Sequence, residues 1–370
     1  MADRRSFLKF CALASMVPPS IWNPTEARPR AQTSGSAPVQ LCVRPTRIEL
    51  APDRGTDVAA YNGVFPAPLL RARQGTPLLI ELRNTTQHTE SFRCTAGMFV
   101  LGSADVSAAD EMRLTAVPAG GTCQLAASAA RRLLVLTDDP GVHLYQSDQL
   151  GPALLQSGPY SAQAGVLLVE PRADAGRHDC EYVLVLKEFQ PGLRRGPSGF
   201  EACYASATVN GRMLGYGEPL RVRQGARMLL HVVNASASET RHLALPGHAF
   251  QVISLDGHTV HQPRAVNSLR LGAGERLSAL VTMQTPGVWV LGDLQDSDRE
   301  SGLGIVVEYA ARRGPPRWHP PRTTRWDYLQ LSAMPAQQAQ ARPPTARLPV
   351  AIARVGNARG FSRFTVNGRS

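Results

Sequence analysis

Residues 208–263 read TVNGRMLGYGEPLRVRQGARMLLHVVNASASETRHLALPGHAFQVISLDGHTVHQP, and residues 271–287 continue as LGAGERLSALVTMQTPG. Apolar and polar residues alternate there in short runs that end in Gly, Pro, Asn or Ser, as after Met228, Leu230 and Val232. This pattern predicts half-buried β-strands joined by tight turns. Asn210-Gly211 suits a type I′ hairpin turn, because both residues can adopt a positive φ. The stretch therefore predicts an antiparallel β-sandwich or barrel.

The chain repeats this stretch. Residues 61–86 read YNGVFPAPLLRARQGTPLLIELRNTT, in which three marker residues precede their counterparts by 148, 150 and 150 positions: Asn62 and Asn210, Gly75 and Gly225, Asn84 and Asn234. A third Asn-Gly pair, Asn367-Gly368, follows the second by 157 positions. We predict two complete β-domains of roughly 150 residues each. A third copy is predicted to begin and then to be cut off.

Charge and composition limit the classes of partner. The formal charge is +11, and almost all of the base is arginine, since Lys9 and Lys187 are the only lysines. The arginines are scattered or paired, as at Arg131-Arg132, and form no basic stripe with interleaved aromatic residues. We therefore expect a solvated basic surface and no nucleic-acid partner. An acidic surface or lipid headgroups remain as weak partners.

Cysteine spacing gives no sign of a structural zinc site or a redox pair. Six cysteines occur, and none has a C-x-x-C neighbour: Cys11, Cys42, Cys94, Cys123, Cys180 and Cys203. In an exported protein one or two disulfides are allowed, with at least one thiol left over. Their connectivity stays open.

Residues 1–31 have the features of an export signal. Arg4 and Arg5 precede a short apolar run at residues 10–17, which is too short to cross a bilayer but suits a signal peptide. The order Arg-Arg-x-Phe-Leu-Lys matches the twin-arginine consensus. The alternative is a plain basic N-terminus. We expect twin-arginine export to the periplasm or beyond, and no transmembrane segment in the mature protein.

Composition divides the remaining chain into four segments. Residues 41–171 form the first predicted β-domain and residues 180–310 the second, with a Gly/Pro/Arg-rich loop at residues 191–199. Residues 311–349 are rich in Pro and Arg and are predicted to be a linker. Residues 350–370 are predicted to start the truncated third domain.

Several motifs point to a known family. They include Tyr61-Asn62-Gly63, Leu245-Pro246-Gly247-His248, Asp256-Gly257 and Gly274-Glu275-Arg276. Over residues 40–370 the chain resembles the multicopper oxidases. The resemblance implies an all-β fold of tandem cupredoxin-like (plastocyanin-like) Greek-key β-sandwich domains, two complete and the start of a third. It also implies copper as cofactor and an oxidoreductase that uses oxygen as acceptor.

The resemblance implies copper ligands that this sequence lacks. The family holds one copper with two His and a Cys, and three with eight His, of which four come from two His-x-His pairs in the first domain. At the aligned positions this chain has Arg93 and Thr95, then Gln146 and Asp148. These groups do not replace imidazole as copper ligands, and a fixed Arg charge disfavours Cu²⁺. We therefore predict no catalytic residue and no copper in the family sites, and expect the chain to be inactive.

Other histidines and a cysteine are candidates for a copper site outside the family positions. His88 and His143 lie near the vacated positions in sequence and are candidates for a substitute copper site. Cys94 is a candidate soft ligand or a small buried residue. The second domain holds four clustered histidines, for which structural or surface roles are favoured over an improvised metal site: His242, His248, His258 and His261.

Three functional hypotheses follow. The first is an exported, inactive relative of the multicopper oxidases that serves as a binding or scaffold module of the cell envelope, with an envelope protein as partner. The second is a truncated, non-functional remnant of a laccase-like copper oxidase. The third is a residual copper store or carrier.

Overall fold

The computed structural model describes residues 32–33, 38–102, 115–150, 154–172, 178–196, 199–322, 326–328, 331, 348–356 and 362–369. The predicted export segment, residues 1–31, and parts of the predicted linker and third domain lie outside these residues. Strands make up nearly all of the regular structure that is described, which confirms the all-β prediction. No helix in the described residues is long and apolar enough to cross a membrane.

The strands up to residue 170 build a first sandwich. In chain order they are β1 (Gln32–Thr33), β2 (Val39–Ala51), β3 (Arg54–Tyr61), β4 (Leu70–Arg73), β5 (Leu78–Asn84), β6 (Glu90–Cys94), β7 (Met98–Gly102), β8 (Thr115–Val117), β9 (Thr122–Leu125), β10 (Ala130–Val135), β11 (Gly141–Gln146) and β12 (Ala164–Glu170). One sheet has the order β1-β4-β12-β11-β6-β9 and the other β3-β2-β5-β10-β7-β8. Short 3₁₀ turns at Leu154–Gln156 and Gly158–Tyr160 precede β12. The aromatic rings of Tyr61, Phe92 and Tyr145 lie in the core between the sheets.

A second sandwich follows. Its elements are β13 (Cys180–Gly196), β14 (Gly199–Val209), β15 (Leu220–Val222), β16 (Arg227–Asn234), β17 (Arg241–Ala244), β18 (Phe250–Leu255), β19 (His258–Thr259), β20 (Ala265–Val266), β21 (Leu269–Leu271), β22 (Arg276–Thr282), β23 (Val288–Asp293), α1 (Asp296–Glu300) and β24 (Gly304–Tyr309). The sheets run β14-β13-β16-β22-β18-β19, with β20 beside β18, and β15-β24-β23-β17-β21. A separate hairpin, β25 (Ile352–Gly356) and β26 (Ser362–Val366), comes last.

The sequence repeat is a structural repeat. Strand β2 pairs antiparallel with β3 and parallel with β5, and β13 pairs in the same way with β14 and β16. Asn210 and Gly211 both have a positive φ, as the predicted turn requires. The predicted correspondence between the two stretches is therefore seen in strand order and in turn geometry.

A buried asparagine closes the same corner in both sandwiches. The side-chain amide of Asn234 donates to the carbonyl oxygens of Glu239, Leu271 and Gly272 at 2.8, 3.0 and 3.0 Å. Asn84, at the end of β5, donates to three carbonyls in the same manner. Because buried carbonyls need donors, the Asn at the end of each parallel strand ties that strand to the loops around it.

The two sandwiches pack on each other through apolar residues. Val142, Leu144 and Val166 of the first meet Val185 and Val233 of the second in one buried cluster. Strands β11 and β12 are therefore buried on both faces, which explains the continuous apolar run of residues 165–169. This contact also brings the ends of β11 and β22 together.

Two segments differ from the sequence interpretation. The loop predicted at residues 191–199 is largely strand, because β13 stays paired with β14 from Pro191↔Tyr204 to Gly196↔Gly199. Strand β16 ends at Asn234 and pairs with β13 only as far as Leu186. The later part of β13 is therefore an edge, where proline is tolerated. In the predicted linker, Leu331 is buried in the second core. The Arg317 guanidinium lies 4.2 Å from the centre of the Trp289 ring.

Replacing Asn234 with Ala should destabilise the second sandwich. The change leaves three buried carbonyls without their donor, so we expect the free energy of unfolding in urea to fall by about 2–3 kcal/mol. Gln251→Ala is the control, because Gln251 is exposed on β18, and it should change the free energy by less than about 0.5 kcal/mol. Equal losses in the two variants would contradict the role of Asn234.

The stability of the interface should depend on pH through Lys187. Its buried ammonium donates to the carbonyl oxygens of Pro159 in the first sandwich and Ala235 in the second. Burial lowers the pKa of Lys187 from 10.5 to about 8. Since the unfolded chain then holds more protons between these two pH values, stability should rise as the pH increases through this window.

The variant Lys187→Met lacks this titrating group. The pH dependence of its unfolding free energy is therefore compared with that of the wild-type chain. Between about pH 8 and about pH 10.5 the wild-type chain should gain about 3 kcal/mol of unfolding free energy relative to the variant. Urea unfolding at both ends of the window measures the gain. If the difference in unfolding free energy between the two proteins stays the same across this pH window, the pKa of Lys187 is not lowered in the folded chain.

Candidate functional site

Of the four positions that the sequence resemblance aligns with copper ligands, Arg93 lies in β6 and Gln146 in β11, while Thr95 and Asp148 follow these strands. The two strands run antiparallel and pair Arg93 with Gln146 and Cys94 with Tyr145. Successive side chains of a strand point to opposite faces. Cys94 and Tyr145 enter the first core, where each is at most 1% exposed. Arg93 and Gln146 therefore lie on the other face, toward the second sandwich.

The structure brings all four sequence-predicted positions to one cavity. Arg93, Thr95, Gln146 and Asp148 line a space of about 420 Å³ between the two sandwiches. We call this space the inter-sandwich cleft. The alternation rule predicts that each pair shares a face, and only the β6–β11 pairing brings the two pairs together.

The opposite wall of the cleft comes from the second sandwich. It includes Ser236, Gly274, Glu275 and Arg276, which sequence reasoning did not place in a site. Residues 274–276 were noticed only as part of the family motif. Nothing in their spacing could reveal that they fold against a strand about 130 residues earlier in the chain, because that contact is tertiary.

Asp148 is held by hydroxyl groups. Its Oδ1 accepts a hydrogen bond from Ser91 Oγ at 2.8 Å, and its Oδ2 accepts one from Thr122 Oγ1 at 2.6 Å. The backbone N–H of Asp148 in turn donates to Ser91 Oγ at 3.0 Å. Both carboxylate oxygens are thus engaged within the first sandwich, so the side chain is fixed and partly neutralised by its donors.

Two guanidinium groups supply positive charge to the cleft. Arg93 Nε donates to the carbonyl oxygen of Gly120 at 2.8 Å. Arg276 crosses between the sandwiches, donating from Nε to the carbonyl of Val142 at 2.8 Å and pairing with Asp256 at 3.2 Å. Burial lowers the pKa of Arg276, yet an arginine remains protonated at neutral pH. The cleft therefore carries fixed cations on both walls.

The two candidate substitute ligands differ in setting. His143 is buried, with Nε2 2.9 Å from the carbonyl oxygen of Asp139 and Nδ1 3.5 Å from Thr95 Oγ1. Because the carbonyl can only accept, Nε2 carries the proton. Burial lowers the pKa of His143, so the ring is neutral at pH 7. His88 is exposed in the loop after β5. Among the described residues, no three His, Cys, Asp or Glu side chains are grouped to hold a metal.

The four histidines that cluster in the sequence at residues 242–261 have different settings in the structure. His248 is buried, and its Nε2 lies 2.5 Å from the hydroxyl of Tyr309, which is a packing role. His258 and His261 are exposed on the wall of a separate cavity of about 480 Å³. His242 uses its backbone N–H to bond a buried carboxylate, that of Asp293, at 2.8 Å. These settings agree with the structural and surface roles favoured from the sequence.

The cysteines are free thiols. The five that the structure describes form no disulfide with one another: Cys42, Cys94, Cys123, Cys180 and Cys203. Burial raises the pKa of Cys94 to about 11. The thiol is therefore protonated at neutral pH and does not present the thiolate that binds copper.

Comparison with known proteins shows what the chain is similar to. The family model for multicopper oxidases matches residues 186–305. This match lies within the second sandwich. It is 22% identical to the multicopper oxidase MmcO of Mycobacterium tuberculosis, over 92% of this chain and 70% of that protein. It is 26% identical to laccase-3 of Thanatephorus cucumeris, over 74% of this chain and 50% of the laccase.

Solved multicopper oxidases share the fold. The structure of Fet3p, a multicopper oxidase that functions in iron import, matches with a TM-score of 0.64 and 16% identity, covering 90% of this chain and 64% of that one. Another multicopper oxidase matches with a TM-score of 0.60 and 19% identity, covering 76% and 93%. The predicted cupredoxin-like fold is therefore confirmed. The chain spans about half the length of the laccases it matches.

The groups in the cleft do not fit the copper cluster of a multicopper oxidase. The four aligned positions offer a guanidinium, a hydroxyl, a carboxamide and a carboxylate that is already bound by two hydroxyls. Copper in such proteins is held by imidazole and thiolate. A guanidinium has no lone pair to give to a metal, so Arg93 can only repel it.

Thiol reactivity tests this description of the cysteines. Folded protein treated with iodoacetamide at about pH 8 should be modified quickly at the half-exposed Cys42 and Cys203 and slowly at the buried Cys94 and Cys123, because access and thiolate content control the rate. Peptide mass spectrometry gives the extent at each site. Unfolding in urea is the control and should make all sites react. Rapid modification of Cys94 in the folded chain would contradict its burial.

Proposed function

We propose that this chain is an exported member of the multicopper oxidase family that no longer reduces oxygen and acts as a binding or scaffold module of the cell envelope. The observation that carries the proposal is the content of the inter-sandwich cleft. Arg93, Thr95, Gln146 and Asp148 stand where the resemblance implies four copper-binding histidines. The cleft keeps the position of a family site without its ligands.

Two guanidinium groups in the cleft repel a copper ion. Cu²⁺ placed beside Arg93 and Arg276 meets fixed positive charge on both walls of the cleft. At about 4 Å in an effective dielectric constant of about 20, each like-charge contact costs about 4 kcal/mol per unit of metal charge. The carboxylates of Asp148, Asp256 and Glu275 also line the cleft, so the case against copper rests mainly on the missing imidazoles.

Export is supported by the sequence of residues 1–31. Their paired arginines, short apolar run and Phe-Leu-Lys match suit the twin-arginine pathway, which carries proteins across the inner membrane in folded form. If the chain is exported, the proteins available to bind it are those of the cell envelope. We therefore propose an envelope protein as its partner.

The second candidate is a residual copper store. It is favoured by His143, whose ring is neutral and whose Nδ1 lone pair faces Thr95 at the edge of the cleft. A neutral imidazole is the form that binds metals. His88, exposed in its loop, is the partner named by the sequence.

Copper content distinguishes the candidates. The chain from residue 32 to 370 is loaded with excess Cu²⁺, freed of unbound metal, and analysed for copper per chain and for its visible absorption spectrum. We expect a folded, monodisperse protein with about zero copper, because the cleft lacks imidazole ligands. Several coppers per chain with a trinuclear-type absorption band would overturn the proposal.

Two variants sharpen the measurement. The fourfold change Arg93→His, Thr95→His, Gln146→His and Asp148→His restores imidazoles and removes the cation, so it should raise copper retention above that of the wild-type chain. If the wild-type chain instead retains about one copper, the double change His88→Ala and His143→Ala should abolish it, and the copper-store candidate would replace the scaffold. An aggregating, copper-free chain would favour a non-functional remnant.

A further inference from the structure

The carboxylates of the inter-sandwich cleft already have hydrogen-bond donors within the chain. Asp148 accepts from two hydroxyl groups. Asp256 pairs with Arg276 Nη1 at 3.2 Å and also accepts from the backbone N–H of Arg276 at 3.0 Å. The hydroxyl of Tyr328 lies 3.0 and 2.8 Å from the two carboxylate oxygens of Glu275. The acidic side chains of the cleft are therefore matched by groups of the protein itself.

The guanidinium of Arg93 is only partly used. Its Nε donates to the carbonyl oxygen of Gly120 at 2.8 Å. A guanidinium has five N–H groups, so four remain on Nη1 and Nη2. In the described part of the chain, these two nitrogens have no acceptor. A half-buried cation on the wall of the cleft thus keeps its forked end for another partner.

The side chain of Gln146 is also unused and lies beside Arg93. Its carboxamide has no hydrogen-bond partner among the described residues, although Gln146 lines the same cleft. The two residues are directly opposite in the β6–β11 ladder, which places their Cβ atoms about 5 Å apart on one face. Their neighbours Cys94 and Tyr145 are buried in the core, so the pair is held in place before any ligand arrives.

These two side chains define the chemistry of a ligand. A carboxylate fits the free end of Arg93, because the planar fork of a guanidinium donates two parallel hydrogen bonds to it. A carboxamide both donates and accepts, so Gln146 suits a hydroxyl group next to that carboxylate. A space of about 420 Å³ is large enough for a small molecule.

Charge limits the ligand further. Three carboxylates and two guanidinium groups line the cleft: Asp148, Asp256 and Glu275, then Arg93 and Arg276. The carboxylates outnumber the cations, so a ligand with two or more negative charges meets net repulsion. The lining therefore favours a single negative charge placed at Arg93.

We propose that the inter-sandwich cleft binds a small α-hydroxy carboxylic acid as its monoanion. The carboxylate accepts from Nη1 and Nη2 of Arg93, and the hydroxyl group bonds to the carboxamide of Gln146. This inference rests on the proposed copper-free binding role and names the chemical class of the ligand.

L-Lactate is the probe. The metal-free protein prepared for the copper measurement is titrated with L-lactate at constant ionic strength, and binding is followed by ligand-observed saturation-transfer NMR. We expect saturable binding. Acetate lacks the hydroxyl group and should bind about threefold more weakly. Lactamide lacks the negative charge and should not bind.

Three protein variants locate the site. Arg93→Met should weaken lactate binding by about tenfold or more, because it removes charged hydrogen bonds. Arg131→Met is the matched control, since Arg131 is also half-buried, also donates to a backbone carbonyl and lies in the other sheet of the first sandwich. It should bind as the wild-type chain does. Gln146→Leu should bind lactate and acetate equally. Circular dichroism checks that each variant folds.

Four results would overturn the inference. Two concern the ligand: lactamide that binds as well as lactate, and inorganic phosphate that binds more tightly than lactate at the same ionic strength. Two concern the site: unchanged lactate binding by Arg93→Met, and a preference for lactate over acetate that persists in Gln146→Leu.

The copper measurement separates this inference from the proposed function. Copper retained in the wild-type cleft defeats the proposed function, and the inference that rests on it falls too. A folded, copper-free protein that does not bind lactate defeats the carboxylate site alone.

Discussion

Alternation of side chains along β6 and β11 is the constraint on which the cleft depends. Cys94 and Tyr145 are buried in the first core, so a slip of either strand by one residue would expel them and bring the polar neighbours inside. The core therefore holds Arg93 and Gln146 on the face toward the second sandwich. Packing of Cys94 and Tyr145 is sufficient to place these positions, and no metal is needed for it.

The contact between the sandwiches turns this face into a cleft. Val142 and Leu144 pack against the second sandwich from the same strand that carries Gln146. Arg276 and Lys187 then use backbone carbonyls across the boundary as acceptors. Burying these cations is costly, and each is offset by direct hydrogen bonds. The two sandwiches are thus joined by apolar contacts and by hydrogen bonds from buried cations.

The repeat explains both the stability of the two sandwiches and the exposure of the last hairpin. In each complete copy a parallel strand covers the hairpin and ends in an asparagine that closes the corner. The final copy has the hairpin and its asparagine, yet its apolar residues remain exposed among the described residues.

The sequence alone determined the class of fold and the repeat, and it predicted the four positions that the structure brings to one cleft. Alternating patterns, Asn-Gly turns and constant offsets are local signals, and they survive in any sandwich that buries one face of each strand. The sequence interpretation was wrong at residues 191–199. Their composition indicates a loop, but pairing with β14 makes most of them a strand. Only the tertiary structure decided that Arg276 and Glu275 share a cleft with Arg93 and that Asp148 is bound by Ser91 and Thr122. Those contacts join residues far apart in the chain, and no spacing or propensity within one segment encodes which distant segment will cover it.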